Sequence, residues 1–246
     1  SQSLGKPVDK IGHTTFRPPY KPIPLGLIAG QYAKKLFKPV RKTPIDKWNL
    51  LNNAIWEPVA DWRRAYAYPK GNEGLEETLS REVLSVRKNV GLLDSSTLGK
   101  ILVKGPDAGR FLDLIYTNMM STLKAGKCRY GLMCNEAGFV FDDGVVARLN
   151  DQSFLCHTTS GGADRVYAWL EEWLQTEWHH LKVFIVNLTE QYSQIAVAGP
   201  KARELLQSFK SINLSSEKLP FMNFIETNIN DISVSYTHLT LPTIVR

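Results

Sequence analysis

Three strand-like segments lie between residues 128 and 159 and are separated only by short turns. Their sequences are CRYGLMC (128–134), FVFDDGVVARL (139–149) and SFLCHTT (153–159), and the residues between them, 135–138 and 150–151, are typical turn formers. Connections this short join antiparallel neighbours, because a parallel crossover needs a dozen residues or more. This region therefore predicts two successive hairpins in one antiparallel sheet.

Helical patterns flank these strands. In LEETLSREVLSVRKNV (75–90) the apolar residues recur at steps of three and four, which predicts a helix that packs one face on a core; they are Leu75, Leu79, Val83, Val86 and Val90. A second helix is expected from about residue 162 to 178, followed by a strand over 181–188. Antiparallel strands with segregated helices indicate an α+β fold.

One unit of the chain occurs twice. The segment ILVKGPDAGRFLDLI (101–115) is echoed 94 residues later by IAVAGPKARELLQSF (195–209). Each copy reads as a strand, a Gly-Pro pair and a helix, with proline at a position that the first turn of a helix tolerates. The repeat predicts an internally duplicated fold.

Two adjacent acids, Asp142 and Asp143, interrupt an otherwise apolar strand. In an extended chain Phe139, Phe141, Asp143 and Val145 share one face, while Val140, Asp142, Gly144 and Val146 share the other. A buried, unpaired carboxylate costs roughly several kcal/mol. Each acid therefore either caps backbone N–H groups at a bulge or hairpin end, or meets a ligand, and the strand pattern leaves both interpretations open.

Positive charge is concentrated at the N-terminus. Residues 1–43 contain nine Lys/Arg and one acid, Asp9, and they also contain six prolines. This composition predicts an extended connector that lies over a partner surface or leads from an upstream domain. Its aromatic residues form no nucleic-acid recognition pattern, so nucleic acid is not an expected partner.

Other function classes are disfavoured by the sequence. No apolar run approaches the roughly 20 residues of a membrane span, and no secretory signal precedes residue 15, so a cytoplasmic protein is expected. The histidines have no zinc-ligand spacing, and no metal is expected. The three cysteines are predicted to be reduced core residues; they are Cys128, Cys134 and Cys156.

Three segments together resemble the folate-binding aminomethyltransferase family, which includes the T-protein of the glycine cleavage system. They are GLLDSSTLGKILVKGPDA (91–108), KCRYGLMCNEAGFVFDDGVVAR (127–148) and IAVAGPKA (195–202). The family signature NExGxxxDD is intact as Asn135, Glu136, Gly138, Asp142 and Asp143. The resemblance implies a folate-binding domain over 48–234 that stops before the family's C-terminal barrel. It leaves 1–47 as a connector from a dinucleotide-binding domain. The last residues, SYTHLTLPTIVR (235–246), differ in character from the preceding sequence and are interpreted as a non-native tail.

Within that family, one branch fits best. The D-x-S motif stands here as Asp94, Ser95 and Ser96. T-proteins usually carry a His-Met pair after it, whereas this chain has Thr97 and Leu98. That departure resembles the α subunits of heterotetrameric sarcosine oxidases, and so do the segments TTFRPPYKPIPLG (14–26), FDDGVVARL (141–149), TTSGGADRV (158–166) and WLEEWLQTEW (169–178). It implies transfer of a one-carbon unit from oxidised sarcosine to tetrahydrofolate, giving 5,10-methylenetetrahydrofolate, with FAD, FMN and NAD elsewhere in a complex with β, γ and δ subunits. The alternatives are a stand-alone aminomethyltransferase or folate-dependent demethylase, and a non-catalytic assembly module.

The resemblance also assigns roles to residues. Asp143 is the expected folate-facing, catalytic acid, and Tyr130 matches the family's pocket tyrosine. Asn135 belongs to the hairpin signature, and the alternation places Phe139 and Phe141 beside Asp143 as the lining of a folate slot. Thr159 precedes a helix, where it either meets a carboxylate of folate or caps the helix. Asp142 is expected to make structural hydrogen bonds. The tryptophans of the last helix are expected in the core or a subunit interface; they are Trp169, Trp173 and Trp178.

Overall fold

The computed structural model describes residues 40–209 and 213–239. Most of the predicted connector, residues 1–39, and the end of the predicted tail, 240–246, lie outside this part of the chain. The strands are β1 (Arg41–Lys42), β2 (Ile55–Val59), β3 (Trp62–Ala67), β4 (Gly91–Asp94), β5 (Gly99–Lys104), β6 (Cys128–Cys134), β7 (Val140–Asn150), β8 (Ser153–Thr158), β9 (Phe184–Asn187), β10 (Ile195–Ala198), β11 (Phe224–Ile229) and β12 (Ile232–Thr237). The helices are α1 (Asp46–Leu51), α2 (Leu75–Lys88), α3 (Ala108–Ile115), α4 (Ala163–Gln175) and α5 (Ala202–Gln207).

A five-stranded antiparallel sheet forms the centre of the fold, with strand order β6-β7-β8-β5-β9. β6, β7 and β8 are successive hairpin neighbours, so the hairpins predicted from the sequence are confirmed. The register places Tyr130 opposite Val145 and Val146 opposite Cys156. With helices segregated from these strands, the predicted α+β class is confirmed as well.

One face of this sheet carries the main core. Side chains from β5, β7, β8 and β9 pack there against α3 and α4; the fully buried ones include Ile101, Val103, Phe111, Leu112, Val146, Phe154, Cys156, Val166 and Leu170. The tryptophans at 169, 173 and 178 pack against this cluster, and the last two stack with ring centroids 5.2 Å apart. These tryptophans are thus partly buried at the edge of the core, and the prediction of a subunit interface stays a prediction.

The opposite face of the sheet is largely uncovered by the described residues. Tyr130, Leu132, Phe184 and Val186 are exposed there. The β11–β12 hairpin covers one end of the face, where Phe224 packs with Cys128 and Ala147. We call this surface the open face.

The duplicated unit has the same local geometry in both copies. Gly105 follows β5 with φ +141° and Gly199 follows β10 with φ +115°, so each occupies a region that L-residues avoid. The residues that start the two helices, Asp107 and Lys201, have nearly equal dihedral angles, φ −99° and ψ 9° against φ −97° and ψ 10°. The predicted strand–Gly-Pro–helix repeat is confirmed at this level.

The second copy of the duplicated unit lies in a smaller, two-stranded sheet. β10 pairs only with β4 among the described strands, and α2 packs beside β4 and β3. The prediction that the apolar stripe of α2 packs on a core is wrong: Thr78 is its one fully buried residue, while Leu75 and Val83 are exposed. The other three apolar residues of the pattern, Leu79, Val86 and Val90, are only partly buried.

A buried lysine ties the two sheets together. Lys100, at the start of β5, donates hydrogen bonds from Nζ to the carbonyl oxygens of Ser96, Leu98 and Thr189 at 2.9, 2.8 and 3.3 Å. Burial lowers the pKa of Lys100 to about 8, and Asp94 partly offsets this shift. Because all three donors are used, the lysine fixes the turn between β4 and β5 rather than presenting a free amine.

The element boundaries differ from the predicted domain boundaries. The expected division between residues 47 and 48 falls inside α1, and the contacts of the chain group residues from Arg41 onwards into one unit. The expected division after residue 234 falls inside β12, where Ser235, Tyr236 and Thr237 pair with β11. No helix of the described residues is long and apolar enough to cross a membrane.

Gly105 provides a test of the duplicated turn. A Cβ atom at Gly105 would overlap the carbonyl oxygen of Lys182, whereas Gly126 also has a positive φ, +80°, with no atom within 4 Å of such a Cβ. We expect Gly105→Ala to lower the free energy of unfolding by about 3 kcal/mol or more, and Gly126→Ala by only about 1 kcal/mol, the cost of backbone strain alone. Urea unfolding measures both, and equal losses would contradict the steric explanation.

Candidate functional site

The two acids of β7 lie on opposite faces of the central sheet. Asp142 is opposite Met133, a core residue, and is only 4% exposed. Asp143 is opposite Leu132 and is partly exposed on the open face. The alternation in the sequence predicted this division correctly, and the two carboxylates therefore have different environments.

A β-bulge at Phe141 breaks the alternation just before the acids. Met133 pairs with Asp142 and Cys134 pairs with Val140, so Phe141 has no partner on β6. The Phe141 ring packs on Trp169, with centroids 4.7 Å apart, against the face covered by α4. The prediction that Phe141 shares the face of Asp143 is wrong, because the extra residue turns its side chain to the other side.

Asp142 is held by the segment that begins α4. Its Oδ1 accepts hydrogen bonds from the backbone N–H groups of Thr159 and Asp143 at 3.0 and 2.8 Å, and its Oδ2 accepts one from Thr159 Oγ1 at 2.9 Å. A Cβ atom at Gly162, the residue that caps α4, would overlap Asp142 Oδ2. The carboxylate thus occupies the space at the start of the helix, where negative charge is stabilised.

Thr159 takes the structural one of its two predicted roles. Its backbone N–H and its hydroxyl both donate to Asp142, and its Oγ1 accepts from the N–H of Gly162 at 3.1 Å. Both of its hydrogen-bond donors are therefore occupied. The donors that could meet a folate carboxylate at this position are used within the chain.

Asp143 and Tyr130 form a hydrogen-bonded pair on the open face. The Tyr130 hydroxyl donates to Asp143 Oδ2 across the β6–β7 hairpin. This hydrogen bond, together with burial and the negative charge of Asp143, raises the pKa of the Tyr130 phenol. Tyr130 is 51% exposed, so the pair is accessible to a ligand from the open side.

Asn135 and Phe139 lie at the turn of the same hairpin. Asn135 Oδ1 accepts hydrogen bonds from the N–H groups of Ala137 and Phe139 at 3.1 and 2.9 Å, which closes the turn. Phe139 is 71% exposed. The structure therefore brings two of the predicted site residues, Tyr130 and Asp143, into contact, and it places Asn135 and Phe139 at the tip beyond them.

The family follows from comparison with known sequences and structures. A model of the GCVT N-terminal domain matches residues 45–240 of the chain. The chain belongs to the GCVT N-terminal domain family. Its fold agrees: the crystal structure of the glycine cleavage system aminomethyltransferase T from Bartonella henselae aligns with a TM-score of 0.66 and 26% identity, over 76% of this chain and 47% of that one.

Individual relatives are of two kinds. Sarcosine oxidase subunit alpha from Corynebacterium sp. (strain P-1) is 44% identical over 92% of this chain, and that from Rhizobium meliloti is 40% identical over 89%. An aminomethyltransferase from Thermosipho melanesiensis is 32% identical over 63% of this chain. The chain spans about a quarter of the length of the sarcosine oxidase subunits, 24% and 22% in these two cases.

Sequence reasoning missed a histidine on the same sheet face as the Tyr130–Asp143 pair. His157 on β8 follows the core residue Cys156 and so points to the open face, with Nδ1 2.9 Å from the carbonyl oxygen of Val145. Burial lowers the pKa of His157, which favours its neutral form. The strict alternation of SFLCHTT could have placed this residue on the same face as Tyr130.

The described residues also form a cavity of about 250 Å³ that neither Tyr130 nor Asp143 lines. Its lining residues are Arg41, Lys42, Pro44, Trp62, Ser96, Thr189 and Glu190. It contains none of the predicted site residues. No group of His, Cys, Asp and Glu side chains in the described ranges is arranged to hold a metal ion.

The close packing around the Asp142 carboxylate can be tested at Gly162. Its φ of −89° suits any residue, so an alanine there introduces only steric overlap, first with the Asp142 carboxylate and also with Thr159 Oγ1. We expect Gly162→Ala to lower the free energy of unfolding by about 2–4 kcal/mol, as overpacking and displacement of a buried carboxylate do. Gly161→Ala is the matched control, because its Cβ would lie 3.6 Å from the Ala60 Cβ, an ordinary contact. Similar unfolding midpoints for the two variants in urea would contradict the packing described.

The pair on the open face can be tested by titrating Tyr130. Its phenol pKa is raised because the neutral form donates to the Asp143 carboxylate and the phenolate would lie beside a negative charge. Asp143→Asn removes that charge, so we expect the pKa of Tyr130 to fall. NMR of protein labelled with ¹³C at tyrosine Cζ follows the titration, and the resonance missing from Tyr130→Phe identifies the residue. An unchanged pKa would show that the two side chains do not interact in solution.

Proposed function

We propose that this chain is the tetrahydrofolate-binding part of a sarcosine oxidase α subunit. The observation that carries the proposal is the accessible carboxylate of Asp143, held by Tyr130 in the GCVT hairpin on an open sheet face. The similarity in sequence supports this branch, since 44% identity extends over 92% of the chain for one such subunit, against 32% over 63% for one aminomethyltransferase.

The residues present fit a reduced folate in chemical type. Asp143 offers an accessible acceptor, Tyr130 adds an aromatic ring, and Leu132 and Phe139 add exposed apolar surface along the same hairpin. Ligand sites of this kind combine apolar surface with a few placed polar groups. The open face is a surface rather than an enclosed slot in the described residues, so other groups would complete the enclosure.

When bound, tetrahydrofolate supplies the nucleophilic amine nitrogens that accept a one-carbon unit. The role we assign to Asp143 is to accept a hydrogen bond from an N–H group of the ligand and to stabilise the positive charge that develops there during transfer. A carboxylate on a partly covered surface suits this role, because its field is less screened than in bulk water.

Tyr130 is assigned a positioning role in the same site. Its hydroxyl donates to one carboxylate oxygen of Asp143 and leaves the other for the ligand. Asn135 holds the turn that presents Phe139, and this ring is proposed to contact the flat ring systems of folate. We assign no ligand contact to Thr159, since both of its donors serve Asp142.

In the proposed reaction the methylene carbon of oxidised sarcosine, an iminium, forms bonds to N5 and N10 of tetrahydrofolate. Its bond to the amino-acid nitrogen breaks, the two N–H protons pass to that nitrogen, and the products are 5,10-methylenetetrahydrofolate and glycine. Oxidation of sarcosine would take place at a flavin on another part of a cytoplasmic complex that contains FAD, FMN, NAD and the β, γ and δ subunits. Similarity to sarcosine oxidase α subunits supports this wider assignment.

The first test is a titration of the 246-residue chain with (6S)-tetrahydrofolate, followed by the Tyr130 ¹³Cζ resonance because it also reports weak binding. We expect the resonance to shift with ligand, and Asp143→Asn to weaken binding by about tenfold or more, the effect of losing one charge-assisted hydrogen bond. Asp151→Asn is the matched control; it makes the same charge change in the turn after β7, where Asp151 is fully exposed.

Two outcomes would contradict the proposal. Absence of any shift at ligand concentrations up to the solubility limit would favour an assembly module that binds no folate. A folded Asp142→Asn variant that loses binding while Asp143→Asn keeps it would move the catalytic role to the neighbouring acid. Circular dichroism and urea unfolding show whether each variant is folded.

A further inference from the structure

The bulge in β7 leaves a backbone carbonyl without a partner in the sheet. Phe141 is the extra residue between the pairs Met133–Asp142 and Cys134–Val140, so its carbonyl oxygen cannot join the β6–β7 ladder. The carbonyl is therefore free to accept a hydrogen bond from water or from a side chain outside the sheet.

Arg165 of α4 supplies that hydrogen bond. Its Nη2 donates to the carbonyl oxygen of Phe141 at 2.6 Å, and its guanidinium carbon lies 4.3 Å from the centroid of the Phe141 ring. The same Nη2 is 3.9 Å from Asp142 Oδ2. One side chain thus contacts the backbone of the bulge, the ring of the bulged residue and the buried acid that follows it.

The position of Arg165 in its helix indicates that these contacts matter. It is the third residue of α4, where a positive charge opposes the helix dipole. An exposed ion pair contributes little by itself, and Arg165 is 59% exposed in its side chain. The charge-assisted hydrogen bond to the carbonyl and the stacking on Phe141 are the stronger contacts.

We propose that Arg165 is a positioning residue that holds the bulge and thereby aims Asp143 at Tyr130 on the open face. Phe141 and Asp142 are the two residues directly before Asp143, and Arg165 contacts both. When their backbone is fixed, the Asp143 carboxylate keeps the orientation that accepts the Tyr130 hydroxyl. Without the arginine the bulge can rearrange, and the pair on the other face of the sheet loosens.

The test uses Arg165→Ala in the full 246-residue chain and reads the Tyr130 phenol by ¹³Cζ NMR. We expect its pKa to fall from the parent value towards the value measured in Asp143→Asn, because a looser pair stabilises the neutral phenol less. Arg110→Ala is the matched control. Arg110 is exposed and is the third residue of α3, so its substitution removes the same charge at the same helical position.

The outcomes separate positioning from general stability. A Tyr130 pKa that falls in Arg165→Ala and stays at the parent value in Arg110→Ala supports the proposal. A parent-like Tyr130 pKa in a folded Arg165→Ala variant, or an equal fall in both variants, overturns it. A merely structural arginine would change the unfolding midpoint without moving the titration of a residue on the opposite face.

This inference deepens the proposed folate site, but its first readout needs no folate. If the parent chain binds tetrahydrofolate, we expect Arg165→Ala to weaken binding by roughly 3- to 10-fold, less than Asp143→Asn, since the acid itself remains. If the parent binds none, the proposed function fails while the Tyr130 titration still decides the role of Arg165. Unchanged affinity in a binding parent would overturn the link between the bulge and the ligand.

Discussion

The carboxylate of Asp142 is the interaction on which the rest of the site depends. It is almost fully buried, and three hydrogen bonds compensate its desolvation, two of them from Thr159 and one from the next peptide of its own strand. It joins β7 to the segment that starts α4, so the helix cannot shift along the sheet without exposing a charge in the core. A buried charge that lost these partners would cost several kcal/mol, roughly, which makes this junction effectively fixed.

That junction explains why the two adjacent acids have different environments. Strand alternation directs Asp142 to the helix and Asp143 to the open face, and the hydrogen bonds to Thr159 keep the first acid from exchanging places with the second. The turn after β5 positions the second helix of the covered face, because Gly105 allows the chain to pass close to Lys182 before α3 begins. Helix positions on the covered face are thus set by backbone contacts, and the open face is left for polar chemistry.

Much of this arrangement could be predicted from local patterns. Turn residues gave the order of β6, β7 and β8, the repeated Gly-Pro pairs gave the matching turns, and alternation gave the opposite directions of the two acids. The position of Phe141 could not be predicted in this way, because a bulge is a single extra residue that no change in composition marks. Its stabilising partner, Arg165, lies 24 residues away and comes near only through the packing of α4.

The prediction that the apolar face of α2 is buried failed for a different reason. Its apolar stripe predicts that something covers it, but a helical pattern does not say which surface lies opposite, and the described residues leave Leu75 and Val83 exposed. Thr159 shows the same limit for the site: a threonine before a helix can donate outward or inward, and only the buried acid on the neighbouring strand decides between them.

Two carboxylates on adjacent residues therefore differ in how much hydrogen-bonding capacity the chain leaves to them. Both carboxylate oxygens of Asp142 accept hydrogen bonds from the chain. Asp143 has one hydrogen-bond partner, Tyr130, and lies on an accessible face. A carboxylate with acceptor capacity left on a partly covered surface interacts with a cationic or N–H-bearing ligand more strongly than one in bulk water, because the local dielectric is lower. The proposed site rests on that contrast, because the chain fills the acceptors of Asp142 and leaves acceptor capacity on Asp143.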